Sequence, residues 1–355
     1  MEPKGKSFGG SLLVPSVQEV AKEPLVEVPI RYVRPDQDPP FISRLSSTLS
    51  EVPIIDMQRL LSEESANYEL VKLHLACKDW GFFQMINHGV SCSLLEKLKE
   101  EIQDFFKLPM EDKKKIWQVP GDLQGYGQAF VQSEEQKLDW ADMFYMIMLP
   151  KQIRNPRLFP NLSLRFRDTL EDYSGEVKNL SLKTLIFIAK ALKMDVEEMK
   201  LLFDGGLQSL RMNYYPPCPQ PEKVIGLCPH SDPFGITFLL QLNDVEGLQI
   251  KKDGVWMPIK PLPDSFIVNI ADILEIMTNG VYKSIEHRAI VNSEKERLSI
   301  STFVAPKLDV DIGPSPSLIS PGTPPRFTRL NFVDYLNKFF SKKLEGKTNI
   351  DQYYI

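Results

Sequence analysis

Apolar residues recur along this chain with two different periods, and the change from one to the other falls near residue 209. Upstream the spacing is helical. Leu94, Leu95, Leu98, Ile102, Phe105 and Phe106 share one face, and Pro109 marks the end of that helix. Before it, "ANYELVKLHLACKDWGFFQMINHGV" reads as a helix running into a strand, because an apolar helical face gives way to the β-favouring "GFFQMI". Residues 164–193 predict a long helix carrying Tyr173, Val177, Leu180, Phe187 and Ala191, and Asp195 to Glu198 reads as the cap of a short one.

From residue 209 the apolar runs become short or alternating: "SLRMNYY", "KVIGL", "ITFLLQL", "GLQIKK", "VWMPIK", "SFIVNI", "SIEHRAIV" and "RLSISTFV". Many short strands with turn signals predict a sandwich or barrel, and Asp253-Gly254 supplies a hairpin turn. A last helix takes in "NFVDYLNKFFSKKL", with Phe332, Tyr335, Leu336 and Phe339 on its apolar side. The proline-rich stretch 33–51 reads as a surface connector, and the folded body begins at "VPIIDM".

Composition narrows the function classes. At 355 residues, 43% hydrophobic and 25% charged, the chain can bury a large core. A net charge of −5 argues against a binder of nucleic-acid backbone, and Lys113-Lys114-Lys115 reads as a solvated helix face. Cys77, Cys92, Cys218 and Cys228 form no C-x-x-C pair and suit a reducing compartment. With no signal-peptide core and no apolar run of membrane length, the expectation is a cytoplasmic chain, nuclear access left open, that needs no membrane, nucleic acid or oligomeric partner.

Four histidines are present. His74 sits in the first helix and His88 in an N-H-G turn, and both read as packing residues. His230 and Asp232 are different, because side chains at i and i+2 of an extended strand project from one face. An H-x-D alone is usually a hydrogen-bonded pair. Fifty-five residues further on, His287 lies in another strand of the same β-rich half, so several intervening strands can carry it back to that edge. Two imidazoles and one carboxylate leave about three positions open on an octahedral metal, an arrangement suited to non-haem iron(II) oxygenases. A structural zinc site would want a fourth protein ligand, whereas a catalytic zinc site stays open on the triad alone. Arg297 and Ser299 follow His287 by ten and twelve residues and share a strand face, so a forked cation and a hydroxyl can grip a carboxylate together.

The combination of "PHSD", "EHR" and "RLS" with "MNYYPPCPQPE", "GFFQMINHGV", "GLQI" and "NIADILEIMTNG" resembles the plant 2-oxoglutarate- and Fe(II)-dependent dioxygenases over nearly the whole chain. "LDWADMFYM", "GLQSLRMNYYPPCP" and "KPLPDSFIVN" are most similar to the senescence-related and benzylisoquinoline-alkaloid O-demethylase branch. The resemblance implies an α+β fold: a distorted double-stranded β-helix, or jelly roll, flanked by helices, with a mainly helical N-terminal region. Its implied division is an extension and connector (1–51), an N-terminal dioxygenase region (52–204), the jelly-roll core (205–306) and a C-terminal segment and helix over the barrel (307–355). It implies that His230, Asp232 and His287 bind iron(II), that Arg297 and Ser299 hold the distal carboxylate of 2-oxoglutarate, and that Tyr215 and Asn213 stand beside that co-substrate. O2 would be consumed, ascorbate would be supportive, and succinate and CO2 would leave.

Where the chain departs from the branch's usual wording, the substrate side is affected. Pro233 and Phe234 follow the H-S-D, and Cys228 replaces the usual serine. Pro233 removes an N–H and fixes φ beside a ligand, and Phe234 reads equally as a pocket wall or as core. By resemblance Tyr126, Phe130, Phe144, Met146 and Phe303 border the substrate cavity, which suits a small, largely apolar alkaloid, phenolic or terpenoid-like metabolite undergoing hydroxylation or O-demethylation. Two other readings stand beside this one: a zinc hydrolase on the same triad, and a receptor that kept the fold without turnover.

Overall fold

The change of period at residue 209 marks the point where the chain enters the centre of a sheet. The computed structural model describes residues 9–23, 25–35, 51–347 and 349–355, so most of the proline-rich connector lies outside the described residues. In chain order the strands are β1 (Ile54–Asp56), β2 (Phe82–Ile86), β3 (Gly125–Gly127), β4 (Asp142–Leu149), β5 (Gln208–Tyr215) and β6 (Leu227–His230). They continue as β7 (Ile236–Gln241), β8 (Leu248–Lys252), β9 (Val255–Pro258), β10 (Phe266–Ile270), β11 (His287–Ala289), β12 (Arg297–Val304), β13 (Asp311–Ile312) and β14 (Leu330–Asn331). The helices are α1 (Val17–Val20), α2 (Met57–Leu61), α3 (Ala66–Leu75), α4 (Cys92–Lys107), α5 (Met110–Lys115), α6 (Leu164–Leu192), α7 (Val196–Phe203), α8 (Asp272–Met277) and α9 (Phe332–Phe340).

An eight-stranded sheet in the order β1-β2-β10-β7-β12-β5-β4-β3 faces a four-stranded one in the order β6-β11-β8-β9. Leu248, Ile250 and Met257 of the smaller sheet pack against Phe82 and Ile267 of the larger. This is the expected jelly roll. Every strand pair in both sheets is antiparallel except β1 with β2, which suits a structure whose outer sheet face is covered by helices. Helix α6 covers that face, and its Tyr173 hydroxyl bonds to Thr302 of β12 at 3.0 Å.

Several expectations are met residue by residue. Leu95, Leu98, Ile102, Phe105 and Phe106 of α4 are buried, Asp195 caps α7 by accepting from the Glu197 N–H, and Asp253 and Gly254 take positive φ (50° and 81°) in the β8–β9 turn. Others are corrected. "KVIGL" forms no strand of its own, because Pro221–Lys223 is a 3₁₀ turn and pairing begins only at Leu227. The N-terminal region is mainly helical as expected, and it also lends four strands, β1 to β4, to the large sheet, of which only β2 was expected. Lys113 is buried rather than solvated: its ammonium donates to the Phe106 carbonyl at 2.7 Å, and burial lowers its pKa to about 8. Lys114 and Lys115 do lie on the exposed side, paired with Glu111 and Asp112. Among the described residues no helix is long and apolar enough to cross a membrane.

Candidate metal centre and the cavities beside it

Antiparallel pairing of β6 with β11 sets His230 directly opposite His287. The chain then turns after His230, and Asp232 swings its carboxylate between the two rings. Its Oδ1 lies 3.6 Å from Nε2 of His230 and 3.7 Å from Nε2 of His287, and the three candidate ligand atoms fall within 4.8 Å of one another. Each ring is oriented from behind. Nδ1 of His230 donates to the Cys228 carbonyl at 2.8 Å and Nδ1 of His287 to the Ile285 carbonyl at 3.1 Å, which leaves both Nε2 lone pairs facing the gap. The far oxygen of Asp232, Oδ2, accepts from Thr237 Oγ1 at 2.7 Å and Asn269 Nδ2 at 2.8 Å.

The electrostatics suit a cation. Burial, and then the neighbouring His287, push the His230 imidazole down to about 3, so it is neutral and able to donate a lone pair. Burial raises the Asp232 carboxyl, but the two facing histidines and the bonds from Asn269 and Thr237 outweigh it and hold the group below the usual carboxylate range. Two imidazole nitrogens and one anionic oxygen, each held by a second bond, are a donor set that fits a divalent metal. His74 and His88 are engaged elsewhere, with Tyr282 and with the Val90 N–H.

Two cavities meet at this cluster, and both run along the inner face of β5 and β12. The pairing of these strands places Arg297 opposite Tyr215, Ser299 opposite Asn213, Ser301 opposite Arg211 and Phe303 opposite Ser209, so the inward row grades from polar to apolar. The polar cavity lies at the first two rungs. Arg297 Nη2 donates to Gln241 Oε1 at 3.2 Å, while its buried Nε and the Oδ1 of Asn213 have no hydrogen-bond partner among the described residues. Asn213 Nδ2 approaches the Ser299 hydroxyl at 3.4 Å. Burial outweighs the nearby Arg297 and raises the Tyr215 phenol, which therefore stays a donor. Orphaned buried groups of this kind are costly unless a ligand satisfies them, and a carboxylate fits. Gly247 makes room for the arrangement, because a Cβ there would stand 2.6 Å from Arg297 Cδ.

The apolar cavity is lined by Met143, Phe130, Phe234, Phe303, Phe339 and Phe340, with Leu123, Ala129 and Tyr145 around them. Phe234 is a wall residue, its ring 4.8 Å from that of Phe303. Phe130 adopts a left-handed backbone (φ 65°) and stacks on Phe340 at 5.6 Å. Tyr126, Phe144 and Met146 are not among the lining residues. Alternation along β4 turns Asp142, Phe144 and Met146 one way and Met143 and Tyr145 the other, so the wall lies one residue out of step with the expectation. Phe144 packs on Phe105 at 5.1 Å, and the Tyr126 hydroxyl donates to Asp142 at 3.0 Å in the core behind the strand.

Sequence reasoning also passed over Thr237, Asn269 and Gln241, which position Asp232 and Arg297. Their signal was present: each is a polar residue inside an otherwise apolar strand, where an unpartnered amide or hydroxyl would be costly. Arg211 and Phe340 carried no local signal, since neither forms a spacing motif with the histidines.

Comparison with known proteins places this site. Residues 206–306 match the model of the 2OG-Fe(II) oxygenase superfamily, and residues 52–162 match that of the non-haem dioxygenase in morphine synthesis N-terminal region. The chain is 55% identical to protein SRG1 of Arabidopsis thaliana over 99% of both chains. It is 53% identical to oxoglutarate-dependent flavonoid 7-O-demethylase 1 of Ocimum basilicum, covering 98% of this chain and 93% of that one. It is 52% identical to codeine O-demethylase of Papaver somniferum over 97% of each. The crystal structure of JOX2 in complex with 2OG, Fe and JA superposes with a TM-score of 0.86 at 34% identity, covering 96% of this chain and 98% of that one. The donor set, the orphaned guanidinium on β12 of the facing sheet and these likenesses set the zinc hydrolase and the receptor aside: the chain belongs to the 2OG-Fe(II) oxygenase superfamily and is a 2-oxoglutarate- and Fe(II)-dependent dioxygenase.

Proposed function

We propose that this enzyme oxidises a small, largely apolar plant metabolite of phenolic or alkaloid type by hydroxylation or O-demethylation. The observation that carries the reading is the apolar, aromatic-walled cavity that opens on the same Asp232 and His230 as the polar one. Relatives named as O-demethylases of flavonoid and alkaloid substrates support it. In this reading His230, Asp232 and His287 hold the iron, and Arg297 and Ser299 hold the distal carboxylate of 2-oxoglutarate with Asn213 and Tyr215 alongside. Bound iron(II) supplies activation of O2 and the oxidation of a substrate C–H bond as 2-oxoglutarate becomes succinate and CO2.

The chain's own part is positional. Thr237 and Asn269 hold Asp232 in one rotamer, the Cys228 and Ile285 carbonyls fix the imidazole tautomers, and Gln241 steadies Arg297. The phenylalanine walls exclude water and set which carbon faces the metal cluster. When that carbon is an O-methyl group, hydroxylation gives a hemiacetal that releases formaldehyde and leaves a free hydroxyl. The test is an anaerobic titration of metal-free protein with Fe(II) and then 2-oxoglutarate, followed by a panel of methoxylated phenolics and alkaloids scored for formaldehyde and succinate. A visible charge-transfer band that is lost in Asp232→Ala supports the site assignment, and formaldehyde with one methoxylated class supports O-demethylation. No band in folded wild-type protein exposed to iron defeats the site assignment.

A further inference from the structure

The stretch "NIADILEIMTNG" supplies no candidate ligand, yet its first five residues lie against the metal turn. That turn needs support. His230 and His287 sit in paired strands, so ladder hydrogen bonds hold their backbones. Asp232 lies two residues past the end of β6, in an irregular turn that pairs with no strand among the described residues.

The support comes from Asn269 to Ile273. Asn269 holds the Asp232 carboxylate from β10. The residues after it hold the backbone: the N–H groups of Ala271, Asp272 and Ile273 donate to the carbonyls of Gly235, Asp232 and Phe234 at 3.0, 2.9 and 2.9 Å. Asp272, the first residue of α8, adds its side chain. Its Oδ2 accepts from the Ser231 hydroxyl at 3.2 Å and from the Tyr335 hydroxyl at 2.7 Å. Ser231 stands between two of the metal-cluster residues, and Tyr335 belongs to α9, whose Phe339 and Phe340 line the apolar cavity.

Asp272 is fully buried, and a buried carboxylate is costly to keep. Other buried acids are answered by cations: Glu69 by Lys72, Glu101 by Arg165, and Glu275 by Lys283 and Lys347. Asp272 is answered by two hydroxyls that reach it from different elements. Packing alone would be served by an apolar side chain of similar size without the cost of desolvation. Bonds to an ionised acceptor are about twice as strong as neutral ones, so what the carboxylate adds is a firm hold on Ser231 and on α9 at once.

We propose that Asp272 is a positioning residue for the metal centre: through Ser231 and the Asp232 backbone it fixes the turn that presents the Asp232 carboxylate, and Tyr335 of α9 holds Asp272 in place. It acts through Asp232 and touches neither metal nor substrate. This rests on the reading of Asp232 as an iron ligand.

The test is an anaerobic titration of metal-free protein with Fe(II) at saturating 2-oxoglutarate, read by the charge-transfer band, beside denaturant melts of the metal-free protein. Asp272→Ala should bind iron about ten-fold more weakly, as loss of a group supporting a ligand does, and its band should move. Asp272→Asn should recover most of both, because an amide oxygen in the place of Oδ2 can still accept the two hydroxyls. Ser231→Ala and Tyr335→Phe, each lacking one hydroxyl, should weaken iron about three-fold. The matched control is Asp142→Ala, which removes an equally buried carboxylate that takes hydroxyls from Ser16 and Tyr126 behind β4. It should lose stability and keep the iron affinity and band of wild type. Iron affinity and band unchanged in Asp272→Ala overturn the proposal, as does equal weakening in Asp142→Ala, which would make the effect one of general stability. Should Asp272→Ala fail to fold, wild-type iron binding in both Ser231→Ala and Tyr335→Phe overturns it instead. A wild-type protein that shows no band is a separate result and counts against the iron site itself.

Discussion

The two cavities that share His230 and Asp232 are assembled by different means. The polar one takes Arg297, Ser299, Asn213 and Tyr215 from two rungs of a single antiparallel strand pair, so their spacing is set by backbone hydrogen bonds. The apolar one gathers Phe130 from a loop, Met143 from β4, Phe234 from the turn after the metal cluster, Phe303 from the end of β12 and Phe340 from α9. On the proposed function, chemistry common to every turnover is thus held by sheet register, which admits no drift of a single residue. On the same proposal, selectivity is held by side chains from five separate segments, any of which can change without disturbing the register.

This contrast can be broken or sharpened by substitution. The largest expected effect is at the shared edge: His287→Ala should bring iron content after desalting to background and succinate release with it, and retained iron would remove His287 from the metal set. Next comes the boundary between wall and core. Phe144→Ala should lower unfolding free energy by about 3–5 kcal/mol, because Phe144 is core behind β4. Its neighbour Met143→Leu should stay within about 1.5 kcal/mol of wild type while shifting substrate preference. Denaturant melts with a substrate panel read both, and the reverse pattern would exchange the two faces of the strand.

Within the polar cavity, Arg297→Ala should raise half-saturating 2-oxoglutarate about 100-fold with iron still bound, the effect of removing one partner of a buried charged pair. An unchanged value would end the role of Arg297. Gly247→Ala should give a smaller effect in the same direction, about ten-fold, because the added Cβ meets Arg297 Cδ at 2.6 Å and forces the guanidinium aside. If co-substrate affinity holds while stability falls, the glycine serves packing alone.

Much of the polar half was legible in the sequence. In H-x-D only His230 lies on a strand, and the turn that follows it, not strand alternation, brings Asp232 to the same place. R-x-S is an i,i+2 pair on β12, which turns both residues to one face. The helical runs were legible for the same reason, since α4 buries the residues that its spacing singled out. The apolar half was legible only in part: Phe130, Phe234 and Phe303 line the cavity as expected, whereas Tyr126, Phe144 and Met146 do not. Phe144 and Met143 are equally apolar neighbours, and only the pairing of β4 with β5 decides which looks inward. Lys113 shows the same limit: a run of three lysines has no mark for the one that reaches the Phe106 carbonyl.

What the sequence determined by itself is therefore local: the helices and most strands, the residues able to hold a metal and a carboxylate, and the fold class that such a series of elements implies. Tertiary structure alone decided that β6 and β11 pair so as to set His230 against His287, that Thr237 and Asn269 hold Asp232, and that Arg211 stands where the polar and apolar cavities meet. Side-chain direction within a strand follows from the chirality and pleat of the backbone, which every residue carries. Which strands become neighbours, and which faces they turn inward, follows from closing the whole sheet over one core, and no single segment holds that information.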